Sequence, residues 1–285
     1  MQLINFRSAG GQVQLGAVKG DRVINLSAAG LPGSIDALLA AGKGEWQRAS
    51  ALAGSGSAEL KLGDLKVLAP VLNPSKAIAV GLNYVDHAAE SPYKDPPKYP
   101  VLFHRYPSSW VAHEEPLVKP RVSNDFDYEG EVAVIIGTAG RYISKDKALD
   151  HVAGYSLFND GSIRDYQFKS HQWMMGKNFD ASGSFGPSLV SADELPLGAV
   201  GLQLLTRLNG QVLQNANTRD MIFDVPTLVS VCSEVFELLP GDVIISGTPA
   251  GVGFARKPPI FMKQGDVVEI EVEKLGILRN TVVNE

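Results

Sequence analysis

Three carboxylates carry the clearest chemical signal in this chain. Asp127-Tyr128-Glu129-Gly130-Glu131 opens the apolar run Val132 to Ile136. Residues two apart in a strand project to the same face, so Glu129 and Glu131 point together, in line with Ala133 and Ile135. Two carboxylates side by side in a partly dry site repel each other and resist ionisation, and a divalent cation between them removes that cost. The plainer reading is a strand end facing water. A third acid favours the metal: Asp160 follows the apolar stretch Tyr155 to Phe158 and so also stands at a strand end. An all-oxygen donor set suits Mg²⁺, Mn²⁺ or Ca²⁺, whereas zinc prefers His and Cys, and no zinc-ligand spacing occurs. Arg164, Gln167 and Lys177 lie downstream as donors for an anionic substrate beside the metal. Each of them taken alone reads as an ordinary surface residue.

The elements that must position these groups are mostly strands. Leu3 to Phe6, Val13 to Val18 and Arg22 to Leu26 are short strand candidates separated by Gly-rich turns. Ser34 is placed to cap a helix through Ile35, Leu38 and Leu39. Gly54 to Ser57 reads as a loop, and Leu65 to Pro74 as the crossing from a small N-terminal domain (1–70) into a main domain (71–285). Ala77 to Gly81, Asp127 to Ile136, Leu202 to Leu208, Val243 to Ser246 and Val267 to Val272 read as strands. Asn209-Gly210 marks a hairpin turn. Ser144 is positioned to cap a helix through Ala148 and Val152. Asp224 followed by Pro226 starts a helix whose apolar residues Leu228, Val231, Cys232, Val235 and Leu239 keep a 3.6-residue period, until Pro240-Gly241-Asp242 stops it. Many strands, few helices and no regular β-α alternation predict an α+β, mostly β chain and exclude a Rossmann or barrel plan.

Composition narrows the function classes. The 285 residues carry a net charge of −5 and no basic run, which argues against nucleic acid as a partner. Hydrophobic residues make up 45% and mean hydropathy is near zero, as in a globular protein. No apolar run approaches the ~20 residues a bilayer span needs, so no membrane partner is expected. The first residues lack a basic start followed by an apolar stretch, and the single cysteine, Cys232, permits no internal disulfide. Both fit a cytoplasmic location. Cys232 sits on the apolar helix face, where packing is its expected role. Gly-x-Ser-x-Gly is absent, and Gly247 to Gly253 lacks the spacing and the Lys-Ser/Thr of a nucleotide loop.

In order and spacing, five segments resemble the fumarylacetoacetate hydrolase family: Gly81-Leu82-Asn83-Tyr84-Val85-Asp86-His87; Glu129-x-Glu131; Asn159-Asp160-x-x-x-Arg164-x-x-Gln167; Gly176-Lys177-x-Phe179-Asp180; and Ser246-Gly247-Thr248-Pro249-x-Gly251-Val252-Gly253. The resemblance runs from about Ala77 to the C-terminus, and the N-terminal unit resembles one carried by many bacterial members. It implies a mixed β-sandwich roll with a small N-terminal α+β domain, assembled as a homodimer. It implies Glu129, Glu131 and Asp160 as ligands of Mg²⁺ or Mn²⁺. Arg164, Gln167, Lys177 and Thr248 become substrate contacts. His87 with Glu90 becomes an acid/base pair on a segment that orders when substrate binds, and Lys177 a catalytic cation. Lys257-Pro258-Pro259 before Gly265-Asp266 resembles the branch with sugar-acid diketo hydrolases. Two departures stand out. Arg105 replaces the Lys that many members place two residues after the Phe of Pro-Val-Leu-Phe, which makes Arg105 a substrate contact on an altered loop. Gly161 adds local freedom beside Asp160. The implied reaction is hydrolysis of the C–C bond of a 2,4-diketo acid (an acylpyruvate or a diketo sugar acid) to pyruvate and a carboxylic acid. The same centre also suits a 2-oxo acid decarboxylase of the oxaloacetate type, an isomerase or a dehydratase. A catalytically silent binding module is the rival from outside enzymes; the joint presence of His87, Glu90 and Lys177 counts against it.

Overall fold

A computed structural model describes residues 1–90 and 96–285. The N-terminal segment contributes β1 (Gln2–Arg7), β2 (Val13–Lys19), β3 (Arg22–Asn25), α1 (Ile35–Ala41), α2 (Lys43–Ser55), β4 (Leu60–Lys61) and β5 (Lys66–Leu68). Ser34 caps α1 by accepting a hydrogen bond from the Ala37 N–H at 3.1 Å. Helix α2 was not foreseen, and it takes in Gly54 and Ser55, which read as loop. Its sequence has no apolar stripe; Ala49 is its one fully covered residue, and the helix packs beside α1 and over β2.

The central part supplies β6 (Ala77–Gly81), α3 (Val85–Glu90), β7 (Val101–His104), β8 (Trp110–Val111), β9 (Leu117–Lys119), β10 (Phe126–Asp127), β11 (Gly130–Ile136), β12 (Val152–Asn159), β13 (Ser162–Ile163), α4 (Arg164–Gln167), α5 (Met174–Lys177) and β14 (Gly183–Ser191). Ser144 precedes a 3-10 helix over Lys145–His151, and Val152 already opens β12, so the helix expected through Val152 is shorter and tighter. The remainder is β15 (Gln203–Leu208), β16 (Gln211–Asn217), α6 (Val225–Val235), β17 (Val243–Ile245), β18 (Val267–Val272) and β19 (Gly276–Asn284).

Among the described residues, twelve strands join one mixed sheet, ordered β4-β3-β2-β1-β14-β12-β11-β17-β6-β7, with β5 on β1 and β8 on β14. Five more form a second sheet, β16-β15-β18-β19-β9. Strand β11 runs through the middle of the large sheet and is buried along its whole length, which explains an apolar run without alternation. Val132, Val134 and Ile136 face the core shared with the second sheet and α6. Ala133 and Ile135 face the core shared with α1. Strands β1 to β5 join the main sheet, β1 pairing with β14, and Leu3, Leu15 and Ile35 pack into that latter core.

Two local readings change at the fold level. Helix α6 begins where Asp224 caps it, accepting from Thr227 N–H at 3.0 Å, but stops at Val235, short of Leu239. Phe236 turns extended, and Leu238 pairs backbone to backbone with Gly140 and is buried, so the chain trades its last helical turn for that contact. Gly161 is held tightly: a Cβ there would stand 1.9 Å from the Ser182 carbonyl oxygen, so glycine is required for close approach and lends no freedom.

Candidate active site

The antiparallel ladder of β11 and β12 assembles the three acids. Gly130 faces Asn159, Glu131 faces Phe158, and the Asp160 N–H donates to the Glu129 carbonyl at 2.9 Å. Asn159 Oδ1 accepts the Glu129 N–H at 3.0 Å, so the side chain between strand and turn also fixes the first acid. Glu129, Glu131 and Asp160 are 4%, 1% and 1% exposed, which rules out a water-facing strand end. One oxygen from each lies within 4.8 Å of the others.

Cations surround two of the three. Lys177 Nζ lies 2.6 Å from Glu129 Oε2 and 2.7 Å from Asp160 Oδ2. Arg164 Nη2 stands 2.7 Å from Glu129 Oε1. Arg105 Nη1 donates to Asp160 Oδ1. Glu131 is different: the Gly247 N–H donates to it at 2.5 Å, and among the described residues no cation reaches ion-pair distance. Burial raises the Glu129 carboxyl, but Lys177, then Arg164 and His87, outweigh it and hold it down at about 2. Burial, then the charges of Asp160 and Glu129, push Glu131 well above the usual carboxylate range. Glu129, Glu131 and Asp160 form an oxygen cluster with one uncompensated member, which could hold a hard divalent cation.

A small cavity opens over the acids. His87, Arg164, Gln167, Lys177 and Thr248 line it with the triad. Trp173, Phe103, Phe168 and Phe254 supply apolar walls. Glu90 stands behind His87, its Oε1 3.2 Å from Nδ1 while accepting the Gly251 N–H at 2.9 Å. Both belong to α3; residues 91–95 after it lie outside the described residues. Thr248 Oγ1 donates to the Gly130 carbonyl at 3.0 Å and accepts from Gln214 Nε2 at 2.8 Å, which ties the Gly247–Gly253 turn to β11.

Arg105 is the site residue the structure moves. It is fully buried and absent from the cavity wall. Besides Asp160, it donates through Nε to Ser109 Oγ at 3.0 Å and through Nη1 to the Gly161 carbonyl at 3.2 Å. It therefore positions Asp160 from behind, where a guanidinium fork has more to bind than a lysine would. His104 and His113 also stay off the cavity wall. Burial pushes the Cys232 thiol up to about 12, which leaves it inert and consistent with packing.

Asp127 and Gln214 had no signal in the sequence. Asp127 is fully buried. Its Oδ2 accepts from Arg164 Nε at 2.8 Å and Phe254 N–H at 3.0 Å, and its Oδ1 from Gly253 N–H at 2.7 Å. One carboxylate thus joins β10, α4 and the glycine-rich turn. When all groups are ionised, Asp127, Glu129, Glu131 and Asp160 against Arg105, Arg164 and Lys177 leave one negative charge, which a divalent cation turns into one positive charge suited to an anionic substrate. Asp127→Asn places amide hydrogens against these donors. We expect it to lower unfolding free energy by roughly 3 kcal/mol in urea denaturation. A midpoint within error of wild type would show that Asp127 does not organise the site.

Comparison with known proteins places this arrangement. Residues 76–283 match the family model for the fumarylacetoacetate hydrolase C-terminal region. The chain is 38% identical over 290 aligned positions to a mitochondrial oxaloacetate tautomerase of Xenopus laevis, covering 99% of this chain and 90% of that protein. Among solved structures it is similar to a fumarylacetoacetate hydrolase of psychrophilic Exiguobacterium antarcticum, with TM-score 0.85, 33% identity and full coverage of both chains. It is also similar to a maleylpyruvate hydrolase of Sphingobium sp. SYK-6 in complex with manganese(II) and pyruvate, with TM-score 0.83, 27% identity and coverage of 100% and 99%. Five ordered motifs, the shared architecture and the family match agree, and the chain belongs to the fumarylacetoacetate hydrolase family.

Proposed function

We propose that the protein is a divalent-metal-dependent tautomerase that interconverts the keto and enol forms of a small 2-oxo acid of the oxaloacetate kind. The observation that carries this reading is the convergence of three buried carboxylates, His87 backed by Glu90, and Lys177 around one small cavity. Resemblance over nearly the whole chain to an oxaloacetate tautomerase supports the same reaction. It moves C–C hydrolysis of a diketo acid, which the motifs alone put first, to second place.

Glu129, Glu131 and Asp160 would hold the metal, which would supply Lewis acidity to the bound 2-oxo acid. Arg164 and Gln167 orient the acid end. His87, kept in one orientation by Glu90, removes a proton from C3. The C3–H pair becomes the C2=C3 bond, and the proton returns to the C2 oxygen. Lys177 offsets the negative charge that develops there, in a site whose apolar walls strengthen the interaction. No water is consumed and no carbon–carbon bond breaks.

The second reading keeps the same residues but has His87 take a proton from water; the resulting hydroxide attacks the 4-oxo carbon of an acylpyruvate, the C3–C4 bond breaks to release a carboxylic acid, and the departing pyruvate enolate takes the proton back at C3. The likeness to a maleylpyruvate hydrolase favours it. One panel separates the readings: enol oxaloacetate, acylpyruvates and 2,4-diketo sugar acids, each with Mg²⁺ or Mn²⁺ and again with EDTA. Accelerated decay of the enol absorbance, abolished by EDTA and free of CO₂ and pyruvate, is the expected result. Pyruvate with a matching carboxylic acid from a diketo substrate would establish the hydrolase. CO₂ from oxaloacetate would establish the decarboxylase. No turnover at all would sink each of these and favour the silent module.

A further inference from the structure

A second, more open cavity lies against the first. Leu82, Phe103 and Trp173 line both, so these three side chains form the wall between them. The rings of Trp173 and Phe103 meet edge to face, with centroids 5.7 Å apart. Gly81 makes room for the indole: a Cβ at that position would lie 2.1 Å from Trp173 Cζ3. Leu82 takes φ +58°, an uncommon conformation for a leucine, and it is buried in that state. Backbone at two consecutive positions is therefore committed to placing this wall. The outer cavity adds Pro97, Val101 and Leu102 as apolar lining, with His171 and Gln172 exposed.

We propose that Trp173, seated on Gly81 and braced by Phe103 and Leu82, sets the chain length of the 2-oxo acid this site accepts. The acid head occupies the inner cavity, and the indole closes the path that a longer substituent on C3 would take. With the indole removed, the two cavities join, and the outer one receives an unbranched apolar chain between Pro97, Val101 and Leu102. This inference rests on the reading that the inner cavity binds a 2-oxo acid. It adds the size of that acid and names the residue that limits it.

The test uses binding, which is independent of turnover. Oxamate mimics a 2-oxo acid, with its nitrogen in the place of C3, so N-alkyl oxamates extend along the proposed path. Affinities of oxamate, N-propyl oxamate and N-pentyl oxamate are measured by titration calorimetry for the Mg²⁺-loaded full chain, as wild type, Trp173→Ala and Trp173→Leu. In the wild type, affinity falls as the tail grows. In Trp173→Ala the ratio of N-propyl oxamate to oxamate affinity rises by on the order of 50-fold, at about fourfold per buried methylene. Trp173→Leu rises less and serves if the alanine variant does not fold. A wild type that binds the long tails as well as oxamate, or variants that bind oxamate with the wild-type ranking, would overturn the proposal. Loss of oxamate binding in the variants would also overturn it, because the indole would then hold the head group. So would a wild type that binds no oxamate. A wild type that ranks the tails as expected yet does not tautomerise oxaloacetate refutes the functional reading and leaves the chain-length role standing.

Discussion

Glu131→Gln is expected to stabilise the metal-free protein while abolishing its response to metal. Glu131 is the acid that no described cation pairs with, and burial followed by its two acidic neighbours pushes its carboxyl up. A glutamine amide of the same shape turns repulsion into donation towards Glu129 and Asp160. The gain is about 1–2 kcal/mol, or a few degrees in Tm for a chain of this size. The pH dependence has a definite sign. A carboxyl whose pKa is raised by folding is fully compatible with the fold below its unfolded value of 4.5 and costs stability as pH rises through the folded value. Wild-type metal-free protein should therefore lose stability from about pH 4.5 upwards, and Glu131→Gln should flatten that slope. Metal acts in the opposite direction. At a concentration of 100 times Kd, Mg²⁺ or Mn²⁺ adds about 2.7 kcal/mol to the wild type, whereas the variant binds at least on the order of 100-fold more weakly. Thermal unfolding with and without metal, from acid to neutral pH, reads all of this. A variant that keeps the metal-induced rise in Tm would remove Glu131 from the ligand set.

His87→Asn should reduce kcat by on the order of 10² to 10⁴ without weakening metal binding. The imidazole lines the cavity, and Glu90 fixes it through Nδ1, leaving Nε2 as the nitrogen free to exchange a proton with substrate. Glu90→Gln should cost less, because it disturbs the orientation of the base without removing it. It should also loosen the turn whose Gly251 N–H the carboxylate accepts. Proton exchange at C3 of a 2-oxo acid in deuterated water, followed by NMR, checks the chemical step directly. Exchange at the wild-type rate in His87→Asn would transfer the base role to another group, and a metal-induced Tm shift that vanished together with activity would make His87 a structural residue.

Much of this was legible in the chain because the signals are local. Period-two spacing put Glu129 and Glu131 on one face, and the acid closing the next apolar run brought Asp160 to the same end. Ser34 and Asp224 announce their helices through oxygen placed before the first turn, and Asn209-Gly210 does adopt positive φ at both positions, 53° and 80°. Where the outcome depends on partners far along the chain, local reasoning failed. Helix α6 ends early because Leu238 finds Gly140, and α2 forms with only Ala49 fully covered because α1 and β2 pack against it. Arg105 has the composition of a substrate contact. Only folding places Asp160, 55 positions away, within reach of its guanidinium.

By itself, then, the sequence determined the strand-rich class, the three acids, the family and the set of polar groups available to a substrate. These depend on residue type and on spacing within a few positions. Tertiary structure decided which of those groups face the cavity and which stand behind it. Asp127 became the anchor of Arg164 and of the glycine-rich turn, and Trp173 came to lie on Gly81 between two cavities. The physical reason is the same in each case. A charge or an aromatic ring takes the role that its buried neighbours leave to it, and those neighbours are brought together by β-sheet register and core packing between segments that share no local signal.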